Sequence, residues 1–259
     1  MASAPQQSLP LFYNDIQPLS SQQHGDFKIR PSDKAPFLAD QHAVPLTVEE
    51  FPMAQRFMPI VFSQGEQPVP LALMGLNEGV NTFFDAEGKL IETNFYVPAY
   101  IRRYPYLLAR LRPESEELSL CFDPTSDTVG AFEDGEPLFT DGQPSELTKN
   151  ILQFNEQFEQ AGARTNQFMQ DLKELDLLID GEVTIQPEGN AQPFIYRGFM
   201  MVDENKLNEL RGDQLRKIVQ NGMLPLVYAH LFSLALMRDV FTRQQQQGKM
   251  PQPQLVPQA

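Results

Sequence analysis

Two histidines, an aspartate and an arginine are of the right types for metal-dependent oxygen chemistry. His24-Gly25-Asp26 with the distant His230 imitates the two-histidine, one-carboxylate face that holds non-haem iron, and Arg238, eight residues on, would suit a carboxylate co-substrate. The context argues against it. The first pair lies in a proline-rich stretch, and His230 sits in the most apolar segment, where a histidine bonded to a backbone carbonyl is the plainer expectation. A second concentration joins Tyr96, Tyr100, Arg102, Arg103, Tyr104 and Tyr106, followed by Arg110 and Arg112. Guanidinium groups bind carboxylates or phosphates in two-pronged fashion and stack on tyrosine rings. Tyr96, Tyr100, Arg102, Arg103 and Tyr104 are therefore the candidate ligand- or peptide-binding set. The competing expectation is that these arginines pair with acidic side chains of the same chain.

The remaining candidates are weaker. Cys121 falls in an expected buried strand, whereas a catalytic cysteine needs an exposed, electropositive setting. Asp85 and Glu87 before Gly88 lack the twelve-residue ligand pattern of a calcium loop. Arg211-Gly212-Asp213 spells an adhesion tripeptide, but Asp213 is better explained as a helix cap. There is no P-loop, dinucleotide glycine fingerprint, nucleophile elbow or zinc-protease motif. No catalytic residue and no cofactor are assigned, and the expectation leans to a protein that binds rather than catalyses.

Composition narrows the partners. The 259 residues carry 34 acidic and 20 basic side chains, a net charge of −14, which disfavours nucleic acid because phosphates are neutralised by clustered Lys and Arg. One cysteine cannot form an intramolecular disulfide, so nothing asks for an oxidising compartment, and a cytoplasmic address is expected. The first ten residues have no basic or apolar run of a secretory signal. The apolar run 223–241 is interrupted by Pro225, His230, Arg238 and Asp239, which suggests a core helix rather than a membrane span. Between Glu114 and Glu182 the sequence holds seventeen acidic and three basic residues, and the remainder has seventeen of each. That stretch reads as one solvated face, or as a docking face for a basic partner.

These residues need elements to hold them. Residues 1–40 read as an extended arm, 41–243 as a single domain, and 244–259, rich in Gln and Pro, as a disordered tail. Thr47-Val48-Glu49-Glu50 forms a capping box, with Leu46 and Phe51 as its staple, and predicts a helix over 48–57. Strands are expected at 60–62, 71–76, 80–84 and 90–97, joined by turns as an antiparallel meander. A helix over 98–111, kinked or broken at Pro105, would carry the arginines, with a strand at 118–122 behind it. Apolar residues spaced 4-3-4-3 from Leu147 to Ile179, with Thr165 the one exception, predict a single long helix over about 146–179 that Gly162 could bend. Its partner is its own sheet or, alternatively, a second copy in a homodimer. Strands at 183–186 and 194–202 and helices at 204–210, 213–222 and 225–243 complete an α+β fold.

With these segments in view the chain resembles the SapC family of bacterial proteins. The resemblance rests on Ala43-Val44-Pro45-Leu46 with Glu50-Phe51-Pro52, on Pro59-Ile60-Val61-Phe62, and on Asn81-Thr82-Phe83-Phe84-Asp85. Its most specific segment is Tyr96-Val97-Pro98-Ala99-Tyr100-Ile101-Arg102-Arg103-Tyr104-Pro105. Gly135-Glu136-Pro137-Leu138-Phe139, Leu175-Asp176-Leu177-Leu178, Val202-Asp203-Glu204 and Ala229-His230-Leu231 continue it towards Arg243. The family is named for bacterial surface-layer systems. The resemblance implies an accessory role in surface-layer, cell-envelope or TonB-dependent uptake pathways, beside TonB-dependent receptors and flavin-dependent halogenase-like proteins. It brings no catalytic residues with it.

Overall fold

The computed structural model describes residues 9–111, 117–187 and 192–250. Arg112, the acidic residues at 114 and 116, the turn at 188–190 and tail residues 251–259 lie outside the described residues. Contacts gather the chain into two compact units, Met1–Asp33 with Tyr100–Gln160, and Lys34–Ala99 with Ala161–Ala259, where the sequence suggests one domain over 41–243. Every strand pairing among the described residues is antiparallel, and helices pack beside these small sheets, so the fold is α+β.

In the first unit Tyr106–Arg110 pairs along its full length with Leu118–Phe122, and Gln17–Pro18 adds a third strand. Successive side chains of a strand face opposite ways. Accordingly Tyr106 and Phe122 join a core with Val129, Leu138 and Phe139, while Leu107 and Cys121 join another with Tyr13. Lys28–Ile29 pairs on both sides, with Val129–Gly130 and Glu136–Pro137. A hairpin of Phe139–Thr140 and Gln143–Pro144 turns at Asp141 and Gly142, both at positive φ. The expected helix over 98–111 is shorter: it covers Ala99–Arg102 and stops because the residue before Pro105 is driven out of helical conformation. The Tyr104–Pro105 peptide is cis, and the chain continues as the strand from Tyr106.

The second unit is built on a five-stranded sheet in the order Leu178–Asp180, Met200–Val202, Ile60–Phe62, Pro70–Leu73, Ala43–Pro45. The meander does not form: in this sheet only Ile60–Phe62 and Pro70–Leu73 are consecutive neighbours. Strands expected at 80–84 and 90–97 reduce to a single bridge between Phe84 and Leu90. The reason is Asn81, whose side-chain oxygen accepts from the backbone N–H groups of Phe83 and Phe84 at 2.9 and 3.0 Å, taking donors that a ladder would need. The capping box forms, but it opens a short turn, Val48–Glu50 then Phe51–Ala54, rather than a helix to residue 57. The stretch expected as one strand at 194–202 is two, Phe194–Tyr196 and Met200–Val202, in different sheets.

The long helix is Glu146–Glu174, about 43 Å at 1.5 Å per residue. It is not broken at Gly162, and it ends before 179. Asp176 has a φ of 53°, the Leu177 N–H reaches the Leu172 carbonyl at 3.0 Å, and the Asp176 N–H reaches that of Lys173. That is a left-handed helix stop, sealed by buried Leu172 and Leu177. The seam faces its own chain: Leu147 and Ile151 pack on the first unit's core, while Ala161, Thr165, Phe168 and Leu172 are buried. Thr165, its polar exception, accepts from the N–H of Val48 at 3.0 Å and donates to the Ala161 carbonyl at 2.7 Å.

The C-terminal helical stretch Met223–Gln246 is long and apolar enough, by length and composition alone, to cross a membrane. Its buried positions include the polar His230, Ser233 and Gln244, and Met237 and Phe241 join the second unit's core, the arrangement of a core helix. It also extends into the expected tail. Gln244 is fully buried, accepting from the Leu76 N–H at 2.6 Å and donating to Asn77 and the Lys249 carbonyl, so residues 244–246 are helical rather than disordered. The helix expected to start at a capping Asp213 starts at Gly212, with Arg211 in the cap position.

Candidate functional site

The long helix and the strand after Pro105 bring the tyrosine–arginine segment against Phe154, Asn155 and Phe158. Arg103 is 8% exposed. Its guanidinium lies 4.6 Å from the centre of the Tyr100 ring and 4.3 Å from that of Phe158, so two aromatic faces hold one cation. One guanidinium nitrogen approaches Glu159 at 3.4 Å, a long contact to a half-exposed carboxylate. The Nε–H has no partner. Arg102, one residue earlier, is exposed and stands 5.2 Å over Phe154. Arg103 thus contacts an acidic residue of its own chain, as one expectation has it, and stacks on a tyrosine ring.

The tyrosines divide into different tasks. Tyr100 donates to the Leu11 carbonyl at 3.2 Å and packs edge-on against Phe12. Tyr104 packs against Phe12 and Tyr13, at 6.4 and 5.2 Å between ring centres. These two fix the N-terminal stretch to the first unit. Burial pushes the Tyr104 phenol up to about 12, helped by the charge of Asp123, and burial likewise raises Tyr100. Tyr96 belongs to the second unit, where its hydroxyl donates to Glu50 at 2.9 Å. Glu50, itself buried, also accepts from the N–H of Ala99 at 2.6 Å and of Thr47 at 2.9 Å.

Arg102 and Arg103 line a hollow of about 250 Å³ with Tyr106, Asn150, Ile151, Phe154 and Asn155. Tyr106 is 3% exposed and Asn155 1%. The Tyr106 hydroxyl has no partner, and neither has the Asn155 Oδ1, whose amide nitrogen is fixed on the Ile151 carbonyl at 2.9 Å. Burial raises the Tyr106 phenol above its ordinary value, so it stays protonated and able to donate. Three of the residues that line this hollow therefore each carry a buried polar atom without a partner. Sequence reasoning found Arg102 and Arg103 and mentioned Tyr106 only as a flank; it missed Asn155 entirely. The available signal was an asparagine beside the apolar seam of the long helix, one residue after Phe154.

The iron-binding alternative does not assemble. His230 is fully buried: its Nε2 accepts from the Val202 N–H at 3.0 Å, so Nδ1 carries the proton and donates to the Ile60 carbonyl at 2.8 Å. Neither nitrogen is left to a metal. Burial lowers its pKa to about 4. His24 accepts from the Ser20 N–H through Nδ1 and packs between Phe27 and Phe122. Asp26 is exposed, and among the described residues no three of His, Cys, Asp and Glu form a group that could hold a metal ion. Cys121 is buried, and burial pushes its thiol up to about 11, the reverse of an activated nucleophile.

Comparison with curated proteins gave no match, and comparison with solved structures gave none either. The SapC family model, however, matches residues 19–240, most of the chain and the whole of the segment that builds this hollow, and the chain belongs to the SapC family.

Proposed function

We propose that this SapC-family chain is a non-catalytic binding or adaptor protein that recognises a protein or peptide partner. Arg102 and Arg103 meet the partner at the hollow, and Tyr100 and Tyr104 are the scaffold that holds them. The observation that carries this reading is that exposed Arg102 and aromatic-clamped Arg103 line one small hollow with Tyr106 and Asn155, and that Arg103, Tyr106 and Asn155 each carry a buried polar atom without a protein partner. A buried polar group left unpaired costs about 1–3 kcal/mol, and such groups in a folded protein ask for a reason. A ligand that supplies the missing partners is a sufficient one. The family resemblance supports an accessory role beside a surface-layer, cell-envelope or TonB-dependent uptake system, with TonB-dependent receptors or flavin-halogenase-like pathway proteins as candidate partners, and the single cysteine is in keeping with a cytoplasmic address.

Affinity capture from lysate of the native host, with wild type and Arg102→Ala, tests the proposal. Arg102 is chosen because it is exposed; removing Arg103 would empty the clamp between Tyr100 and Phe158 and confuse binding with folding. The expected result is a stoichiometric partner retained by wild type and reduced at least about tenfold, one lost charged hydrogen bond, by Arg102→Ala at an unchanged melting temperature. Equal retention by both proteins would overturn the reading.

A further inference from the structure

The strand Tyr106–Arg110 lies at one edge of its three-stranded sheet, beside Leu118–Phe122 and away from Gln17–Pro18. In an antiparallel ladder alternate residues turn their backbone N–H and C=O groups to one neighbour and the rest turn them the other way. The Leu19 N–H reaches the Leu120 carbonyl at 2.9 Å, and the Asp123 N–H reaches the Pro105 carbonyl at 2.9 Å. Leu120 and Phe122 therefore serve one side of the middle strand, and Ser119 and Cys121 serve the other. Ala109 stands opposite Ser119 and Leu107 opposite Cys121, so these two bond inward. Tyr106, Leu108 and Arg110 face the open edge. The groups of Tyr106 are taken: its N–H donates to the Arg103 carbonyl and its carbonyl accepts from the Tyr13 hydroxyl, both at 2.7 Å. The N–H and C=O of Leu108 and of Arg110 have no partner among the described residues.

An open strand edge templates pairing with another chain, and proteins blunt such edges with proline, charge or brevity. The other sheets do so. Gln17–Pro18 is two residues long and contains a proline. The five-stranded sheet ends on Ala43–Pro45 at one edge and on Leu178–Asp180, with its aspartate, at the other. Val129–Gly130 and Glu136–Pro137, which flank Lys28–Ile29, are two residues each. Tyr106–Arg110 is five residues, carries no proline or lysine, and keeps its one charge for the far end.

The side chains beside this edge describe its occupant. Residues directly opposite one another across a strand pair share a face. A residue opposite Leu108 joins the face of Tyr106 and Leu120, and one opposite Ala109 joins that of Leu107 and Cys121. Both faces are apolar. A residue opposite Arg110 meets an exposed guanidinium with no partner among the described residues, and a carboxylate complements it. Tyr106, which lines the hollow, stands two residues from Leu108, about 7 Å along the strand, so a segment on this edge runs towards the hollow.

Resting on the binding reading above, we propose that the partner docks by strand addition. An extended, mainly apolar segment of another protein pairs antiparallel with Leu108 and Arg110 through their backbone groups and sets a carboxylate on the Arg110 guanidinium.

Amide hydrogen exchange on the free full chain tests whether the edge is open. Leu108 and Arg110 should exchange at least about tenfold faster than Leu107 and Ala109. Protection of Leu108 in the free chain would overturn the inference: the edge is then covered by a second copy if sedimentation gives a two-chain mass, and by the chain's own residues if it gives one. Titration with acetyl-Ser-Glu-Thr-Val-Thr-Val-amide, followed by NMR, tests the occupant. Its glutamate is placed opposite Arg110 and its first valine opposite Leu108, and binding should protect both amides. Methylating the nitrogen of that valine should weaken binding at least about tenfold, through one lost hydrogen bond, whereas methylating the preceding threonine, whose N–H points away, should change it less than about twofold. Replacing the peptide's glutamate by glutamine should also weaken it. No binding, or equal effects of the two methylations, would overturn the inference.

Leu108→Pro removes the edge-facing N–H while leaving the bonds to Leu118–Phe122, and Leu108→Ala keeps that N–H. The proline variant should lose at least about tenfold in affinity for the peptide and the alanine variant should hold it; the methylated peptides decide the matter on wild type if the proline variant does not fold. Partner capture that depends on Arg102 but not on Leu108→Pro would end this inference and leave the binding reading standing. Capture lost by Leu108→Pro and kept by Arg102→Ala would do the reverse.

Discussion

His230 is held neutral inside the second unit, and that gives stability a dependence on pH. In the unfolded chain its pKa is 6.5, and in the folded chain burial lowers it to about 4. Between those values the unfolded state binds a proton that the folded state does not, so stability is full above pH 6.5 and falls as pH drops towards 4, by about 3 kcal/mol in all. Denaturant titrations across that window should find the fall, and His230→Gln, which cannot titrate, should flatten it between pH 6.5 and 5; an unchanged slope would remove His230 as its source. Glu50 gives a second expectation. Its carboxylate serves Thr47, Tyr96 and Ala99, so Glu50→Ala should cost about 3 kcal/mol or more by stranding buried donors, and thermal unfolding would measure it. The link from Glu50 to Thr47 is legible in the sequence, three residues apart in a capping box. The links to Tyr96 and Ala99, 46 and 49 residues away, are set by tertiary packing and leave no local mark. Asn155 is illegible for the same reason: an asparagine in a helix is unremarkable until its oxygen is seen to be buried without a partner.

At the scale of elements, the long helix shows how far periodicity reaches. The 4-3 spacing of apolar residues identified it and its buried face, because that spacing is the geometry of one side of a helix. Its end was not legible, since the apolar pattern continues through Leu175 and Ile179 while the left-handed stop falls on Asp176 rather than on the usual glycine. Lys206 holds that turn, donating to the Asp176 carbonyl at 2.9 Å and to its carboxylate at 2.7 Å. Gly162 lies inside the helix with open space around the position of a Cβ. Gly162→Ala should therefore stabilise the protein by about 0.5–1 kcal/mol. At Gly181 a Cβ would come within 2.1 Å of the Phe199 ring, so the same change there should destabilise it. Melting temperatures that moved in one direction for both would contradict the packing described. The segment after Pro98 misled for a different reason: its helix-friendly composition extends through Arg110, yet Pro105 forbids continuation and Tyr106–Arg110 has a full-length partner in Leu118–Phe122.

At the scale of the whole molecule, α+β class and family membership were legible, but strand order was not. Ile60–Phe62 lies between Pro70–Leu73 and Met200–Val202, and no local signal joins residues that far apart in the chain. The acidic stretch, expected as one face, is divided between the two units, and several of its members pair with cations: Asp134 with Arg30, Asp176 with Lys206, and Glu182 with Arg197. These exposed pairs contribute little to stability each. Because the helical seam packs on its own chain, sedimentation should give the mass of one chain, 29.4 kDa; a two-chain mass would point instead to exposed Phe232 and its stacked neighbour Tyr228 as an interface. The central claim is that the hollow beside Arg102 is where this protein binds. The measurement that tests it most directly is capture of a partner from native-host lysate by wild type and by Arg102→Ala, with melting temperatures taken on the same preparations. Loss of the partner at equal stability is the expected result, and a partner held equally by both proteins would contradict it.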